Sequence, residues 1–122
     1  MDQFRERKYL NLETYRKNGE GMRTPLWFVE KGDVFYAQTT SGTGKVKRVR
    51  RQPNVRLVPC DRRGGPEGEW VAGEAWIVRG AEKERHIDRM LNQKYGVARR
   101  LIGTAQRLSK AEPVIIGMRV RE

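Results

Sequence analysis

Five strand-like stretches follow one another through the first two-thirds of this chain, and a single short helix interrupts them. Lys8–Arg16 (KYLNLETYR) alternates in part and carries aromatics, and Lys17-Asn18-Gly19-Glu20-Gly21 after it reads as a turn. Met22–Glu30 (MRTPLWFVE) is a second strand, and Pro25 within it argues for an edge or a bulge, because proline cannot donate to a ladder. Lys31-Gly32-Asp33 turns tightly into Val34–Thr40 (VFYAQTT), so the second and third strands are expected to form a hairpin. Val55–Pro59 is the fourth strand, Asp61–Gly68 (DRRGGPEG) a polar, glycine-rich loop, and Glu69–Arg79 (EWVAGEAWIVR) a long fifth strand. One face of that strand would carry Trp70, Ala72, Glu74, Trp76 and Val78, and Gly73 marks a bend or a close backbone approach. Strands so short and so closely connected predict a small closed or half-open barrel.

The C-terminal third changes period. Ala81–Tyr95 places Ile87, Met90, Leu91 and Tyr95 on one helical face, and Gly96 is placed to stop that helix. A second helix over Val97–Leu108 repeats the pattern with Val97, Leu101, Ala105 and Leu108. Pro113 ends the helical region and Val114–Val120 reads as a last strand. The apolar stripes read as core, packed on the barrel or on a second subunit. With no repeat, linker or domain boundary in evidence, residues 1–122 are expected to form one domain, mainly β with some α.

The most telling segment for function is Thr39–Val55, TTSGTGKVKRVRRQPNV. Thr39, Thr40 and Ser41 lead into Gly42-Thr43-Gly44, and then Lys45, Lys47, Arg48, Arg50 and Arg51 follow with no acid among them. A strand end, a glycine-bearing turn and a short basic helix supply bare N–H groups and a positive helix dipole, the elements of a phosphate cradle. It is not a nucleotide-hydrolysing P-loop: Thr39 stands where that motif needs its first glycine, and Val46 where it needs a Ser or Thr after the lysine.

Charge bears on the same question. Lys and Arg number 26 against 15 Asp and Glu, a formal net charge of +11. Such a field attracts polyanions, whether nucleic acid, anionic lipid or a small ligand with several phosphates and carboxylates. No apolar run reaches membrane-spanning length and the start, MDQFRERKYL, has no signal-peptide core, so a cytoplasmic location is expected.

The reactive inventory is short. Cys60, the one cysteine, follows an apolar strand and reads as a half-buried structural thiol; His86, the one histidine, reads as a solvated helix residue among Glu84, Arg85 and Asp88. Zinc sites built from those ligands are excluded, no metal site is expected, and the usual Ser-His and Cys-His pairs are excluded unless His86 supplies the base. No carboxylate pair stands out and no catalytic residue can be named. An enzyme of this composition would borrow its chemistry from a cofactor.

These residues resemble the pyridoxamine-phosphate-oxidase-like split-barrel family of flavin and deazaflavin oxidoreductases, closest to a subgroup of coenzyme F420-dependent enzymes. The similarity runs from about Tyr9 to Tyr95. It rests on Leu12-Glu13-Thr14-Tyr15-Arg16-Lys17-Asn18-Gly19, on Thr24-Pro25-Leu26-Trp27-Phe28-Val29, on Thr39, Thr40 and Ser41-Gly42 ahead of Lys45-Val46-Lys47-Arg48, and on Asn54-Val55. Pro59-Cys60-Asp61-Arg62-Arg63-Gly64, Trp70, Gly73, Ala75 and Lys94-Tyr95-Gly96 complete it. The resemblance implies a six-stranded split barrel and a homodimer with a cofactor in a cleft between the copies. Carried over by position, the cofactor phosphate would fall to Thr39, Thr40, Ser41, Lys45 and Arg48, while Thr24, Pro25 and Trp27 would approach the ring. Lys45 and Arg48 stand three apart on the helix, so both can reach one group. Charge-assisted hydrogen bonds of this kind contribute roughly 1.5–3 kcal/mol each. The chain lacks the basic, aromatic C-terminal substrate motif of true pyridoxamine-phosphate oxidases, ending in Ile116-Gly117-Met118-Arg119-Val120-Arg121-Glu122. Haem-handling split barrels generally rely on a histidine ligand, for which His86 is poorly placed.

The expected function is therefore an F420-dependent oxidoreductase passing a hydride between the deazaflavin and a small organic acceptor. The acidic tail of F420 suits a chain that also carries Arg50, Arg51, Arg62 and Arg63 near the cradle. FMN in the same site, or a non-catalytic cofactor carrier, are the alternatives of the same fold. A nucleic-acid-binding barrel is the alternative of another class, resting on charge, the arginine-rich helix and the 3 tryptophans.

Overall fold

The computed structural model describes residues 2–109 and 112–121, side chains of 97–109 excepted. A 3-10 turn (Asp2–Phe4) precedes β1 (Tyr9–Tyr15), β2 (Gly21–Trp27), β3 (Val29–Lys31) and β4 (Val34–Thr40). Then come α1 (Gly44–Arg51), β5 (Asn54–Cys60), β6 (Val71–Val78), α2 (Ala81–Ser109) and β7 (Pro113–Val120). Every strand pairing is antiparallel, in the order β2-β1-β5-β6-β7-β4-β3.

The strand count corrects the expectation of six: among the described residues the sheet has seven strands, because Met22–Glu30 is not one strand. Gly21–Trp27 pairs only with β1, which makes it an edge strand, as Pro25 requires. The hairpin at Gly32-Asp33 joins only Val29–Lys31 to β4. Between the two pieces lies Phe28, 1% exposed, its ring edge-on to Phe4 and Phe35. Its backbone bonds are taken by a side chain instead of a ladder: Phe28 N donates to Tyr95 Oη at 2.8 Å, and the Tyr95 hydroxyl faces Phe28 O at 2.7 Å. β2 and β3, neighbours in sequence, thus end on opposite edges of the sheet, and one buried residue turns the sheet back on itself.

Register assigns the faces. Leu10, Leu12 and Thr14 of β1 point inward with Leu26 of β2, Leu57 of β5, Ala75 of β6, Met118 of β7 and Phe35 and Ala37 of β4. A second apolar cluster lies outside the sheet, where Val29, Tyr36, Val78 and Ile115 meet Ile87 and Leu91 of α2. β6 serves both: Ala75 and Ile77 face the barrel, while Trp76 and Val78 face the helix layer. Gly73 allows a close approach to β7, since a Cβ there would stand 2.7 Å from Arg119 O.

Gly96 interrupts α2 with φ 57° and ψ −128°, so two helical segments meet there, as the sequence pattern predicts. The expected stripe of Val97, Leu101, Ala105 and Leu108 lies outside the described side chains. Among the described residues, no helix is long and apolar enough to cross a membrane.

Candidate functional site

β4 ends on Thr39 and Thr40, and the turn beyond it is held by Ser41 N donating to Glu112 O at 2.8 Å. Thr43 occupies the N-cap position of α1 with extended backbone (φ −71°, ψ 153°), yet its side chain does not cap the helix. Its hydroxyl donates instead to Thr40 O at 3.0 Å. The first turn of α1 contains no acid either. Its leading N–H groups therefore lack the side-chain acceptor that helix starts usually have.

Two cations gather at this end. Lys45 Nζ donates to Thr39 Oγ1 at 3.1 Å, and Arg48 Nε donates to Thr14 Oγ1 at 2.7 Å. Thr39 lies on β4 and Thr14 on β1, so α1 bridges strands far apart in the sheet and closes one barrel mouth, with Val46 and Val49 each 2% exposed beneath it. Burial, then the charge of Arg48, lowers the Lys45 pKa. Burial, then Arg16 and Arg51, lowers that of Arg48, which stays protonated nonetheless. Among the described residues neither has a carboxylate partner. Partly buried cations without a carboxylate beside an uncapped helix start form an arrangement that an anion would complete.

The expected residues are not all brought together. Thr39, Lys45 and Arg48 converge; Thr40 and Ser41 shape the turn through their backbones. Thr24 faces inward opposite Leu12, two places along β2 from Met22, the partner of Thr14. Pro25 faces outward opposite Asn11, beside Gly64. Trp27 pairs with Tyr9 at the far end of β2, about 16 Å along the strand from Met22. Its indole stacks on Tyr95, with centroids 4.7 Å apart and planes 9° from parallel. Within one chain, then, Trp27 and the cradle sit at opposite barrel ends.

Thr14, without an assigned role in the sequence, stands at the cradle, and Gly44, read there only as part of the turn, lies under the Arg48 guanidinium. Thr14 continues the inward row of Leu10 and Leu12, and a hydroxyl at the mouth end of an apolar row was the signal available. Gly44 gave none. A Cβ there would fall 2.5 Å from Arg48 Nη1, so the guanidinium crosses the helix start over Gly44 and any larger residue there would displace its end.

Behind β1 the charges are settled differently. Glu13, 5% exposed, accepts from Arg23 Nε at 2.8 Å and Tyr15 Oη at 2.8 Å and lies 3.6 Å from Arg56 Nη1. Arg23 and Arg56 also lie over the Trp70 ring, at 4.6 and 5.1 Å. Burial alone would raise the Glu13 pKa, but the bonds from Arg23 and Tyr15 and the charges of Arg56 and Arg23 outweigh it and hold the carboxyl below its ordinary 4.5. Cys60 is buried, and burial, then Asp61 and Glu67, push its thiol up to about 11, which makes it inert as a nucleophile. Among the described residues, no group of three or more His, Cys, Asp or Glu could hold a metal ion. A cavity of about 290 Å³ lies between α2 and the outer faces of β4 and β7, lined by Gln38, Glu84, Arg85 and Ile115.

No protein-family model and no curated protein matches the chain. Solved structures do match in shape. A Clostridium acetobutylicum protein of the pyridoxinephosphate oxidase family, related to general stress protein 26, shares 13% identity over 98% of this chain and 79% of its own, with a TM-score of 0.69. The fold is the pyridoxamine-phosphate-oxidase-like split barrel. An F420 reductase shares the split barrel at 21% identity over 96% of this chain and 90% of its own (TM-score 0.62). The heme-storage protein HutZ of Vibrio cholerae shares it at 15% identity, over 99% and 87%, with a TM-score of 0.74. Split barrels so similar in shape thus carry names as different as oxidase, reductase and storage protein, and function must be argued from the site.

Proposed function

We propose that this chain is an oxidoreductase that binds coenzyme F420 through the Lys45–Arg48 cradle and passes a hydride between the deazaflavin and a small organic acceptor. The observation that carries this reading is the acid-free, uncapped start of α1, on which Lys45 and Arg48 converge without a carboxylate partner. Those groups fit a phosphate: a point charge on Lys45, a planar fork on Arg48 and backbone N–H groups between them. The net charge of +11, with Arg50, Lys47 and Arg51 exposed on the same helix, favours a ligand whose tail adds carboxylates.

When bound, the deazaflavin ring supplies the hydride chemistry. The chain contributes anchoring at the barrel mouth and a wall for the ring along β2, where Thr24 is nearest to the cradle. In this reading the cofactor lies between two copies of the chain, since Trp27 and the cradle of one chain sit at opposite barrel ends. FMN presents the same phosphate and is the second cofactor to test; a carrier would bind either one without turnover. The tryptophans argue against nucleic acid, because Trp27 is stacked on Tyr95, Trp76 covers Gly117, and Trp70 lies against Arg23 and Arg56.

Fluorescence-anisotropy titration of F420 at physiological salt, with FMN and a single-stranded oligonucleotide as competitors, tests the reading. Saturable binding that the oligonucleotide does not displace, weakened about 100-fold in the Lys45→Ala, Arg48→Ala double variant, is the expected result. Unchanged affinity in that variant removes the cradle from the site.

A further inference from the structure

Arg48 does not hold its own position on α1. Its Nε is bonded to Thr14 Oγ1, 2.7 Å away on β1, and that hydroxyl faces Met22 O at 3.5 Å. With its proton directed at Met22, the hydroxyl has a lone pair left for Arg48. Thr14 is 1% exposed and its neighbours along the inward face are Leu12 and Leu10, so the anchor sits in the barrel wall. The terminal nitrogens then lie over Gly44, where a Cβ would stand 2.5 Å from Nη1. The guanidinium is thereby laid across the start of α1, next to Lys45, whose own ammonium is tied to Thr39.

From this geometry we infer that Thr14 is a positioning residue for phosphate recognition, acting through Arg48, and that Gly44 keeps open the space its guanidinium needs. The inference rests on the cradle reading above. An arginine side chain left free would spread over many rotamers, and binding would have to order it. Held at Nε, it presents its two remaining NH2 groups as a prepared fork, the geometry suited to two oxygens of one phosphate. The threonine touches no ligand in this account. Its contribution is confined to how much the phosphate improves binding.

That confinement makes the role measurable. The readout is the ratio of dissociation constants for a phosphate-free and a phosphorylated chromophore: riboflavin against FMN, and the dephosphorylated deazaflavin against F420. Thr14→Val keeps the shape and removes the hydroxyl, and is expected to lower the ratio about tenfold while riboflavin affinity stays put. Thr14→Ser should restore it. Gly44→Ala should lower the ratio too, while leaving the thermal midpoint unchanged or raised, because alanine favours a helix over glycine. A merely structural role would move stability and both ligands together. Should Thr14→Val fail to fold, Thr14→Ala, which also removes the hydroxyl, takes its place with the same expected ratio.

A wild-type ratio in these variants, with the ratio lost in Lys45→Ala, overturns the role of Thr14 and leaves the cradle standing. A wild-type protein that gains nothing from the phosphate in either pair overturns both.

Discussion

Two lysines at opposite ends of the barrel show how the same kind of group can be used up by a fold or left available. Lys94 Nζ donates to Arg7 O at 2.6 Å and Phe28 O at 2.8 Å and lies 4.1 Å from the centre of the Phe28 ring. Burial lowers its pKa to about 8, partly countered by Glu30. Lys45 is also lowered chiefly by burial, yet it has one hydroxyl partner, Thr39, and its charged neighbour is Arg48. Lys94 is met by two backbone carbonyls, that of Phe28 at the split between β2 and β3 and that of Arg7 ahead of β1. It belongs to the frame. Lys45 stands beside another cation at a helix start with no acceptor, so what would complete it must come from outside. Burial of a charge alone does not mark a binding site; what matters is whether the fold itself provides the counterpart.

The sharpest way to break that contrast is at the seam. Tyr95→Ala removes the hydroxyl that serves Phe28 and the ring stacked on Trp27, and should cost about 3 kcal/mol in urea unfolding. The preference for phosphorylated over phosphate-free flavin should be unaltered. A lost preference would mean that the two barrel ends are coupled.

Glu13 lies between the two extremes, an internal acid that neutralises Arg23 and Arg56. Both arginines are about half exposed, so Glu13→Gln should cost only about 1.5 kcal/mol. Because its folded pKa is lowered, the stabilisation is complete above the ordinary 4.5 and is lost as pH falls through the lower, folded value. Midpoints measured between pH 3 and 7 should show a flatter acid limb in the variant. An identical limb would show that Glu13 is not favoured in its charged form.

The smallest effect belongs to Thr43. Its hydroxyl serves Thr40 O and not the helix, so Thr43→Ala should cost about 0.5 kcal/mol, below the usual penalty for losing an N-cap. A loss near 2 kcal/mol would show that the start of α1 is capped after all, and would remove the uncapped helix start on which the cradle rests.

Much of the fold was legible because it is local. Partial alternation located β1 to within a residue, the Lys31-Gly32-Asp33 turn located β4, and Gly96 marked the break in α2. The seventh strand was not legible. Nothing within MRTPLWFVE says that Phe28 leaves one sheet edge for the other, because that depends on Tyr95, 67 residues away. The site divides in the same way. Lys45 and Arg48 announced themselves by charge and spacing, and Thr39 by its place before the turn. Thr14 is 34 residues from Arg48, and only the packing of α1 across the barrel mouth brings them together.

What the sequence determined by itself was a small, basic, strand-rich chain with a phosphate-friendly turn, one histidine and one cysteine. Each of those properties is carried by residue type and by spacings of a few positions. The tertiary structure decided which of its many cations stay uncompensated. Arg23 and Arg56 found Glu13, Lys94 found carbonyls, and Lys45 and Arg48 found only hydroxyls. A charge is written in one residue, but its counterpart is supplied by whatever the register and the closing of the barrel set beside it.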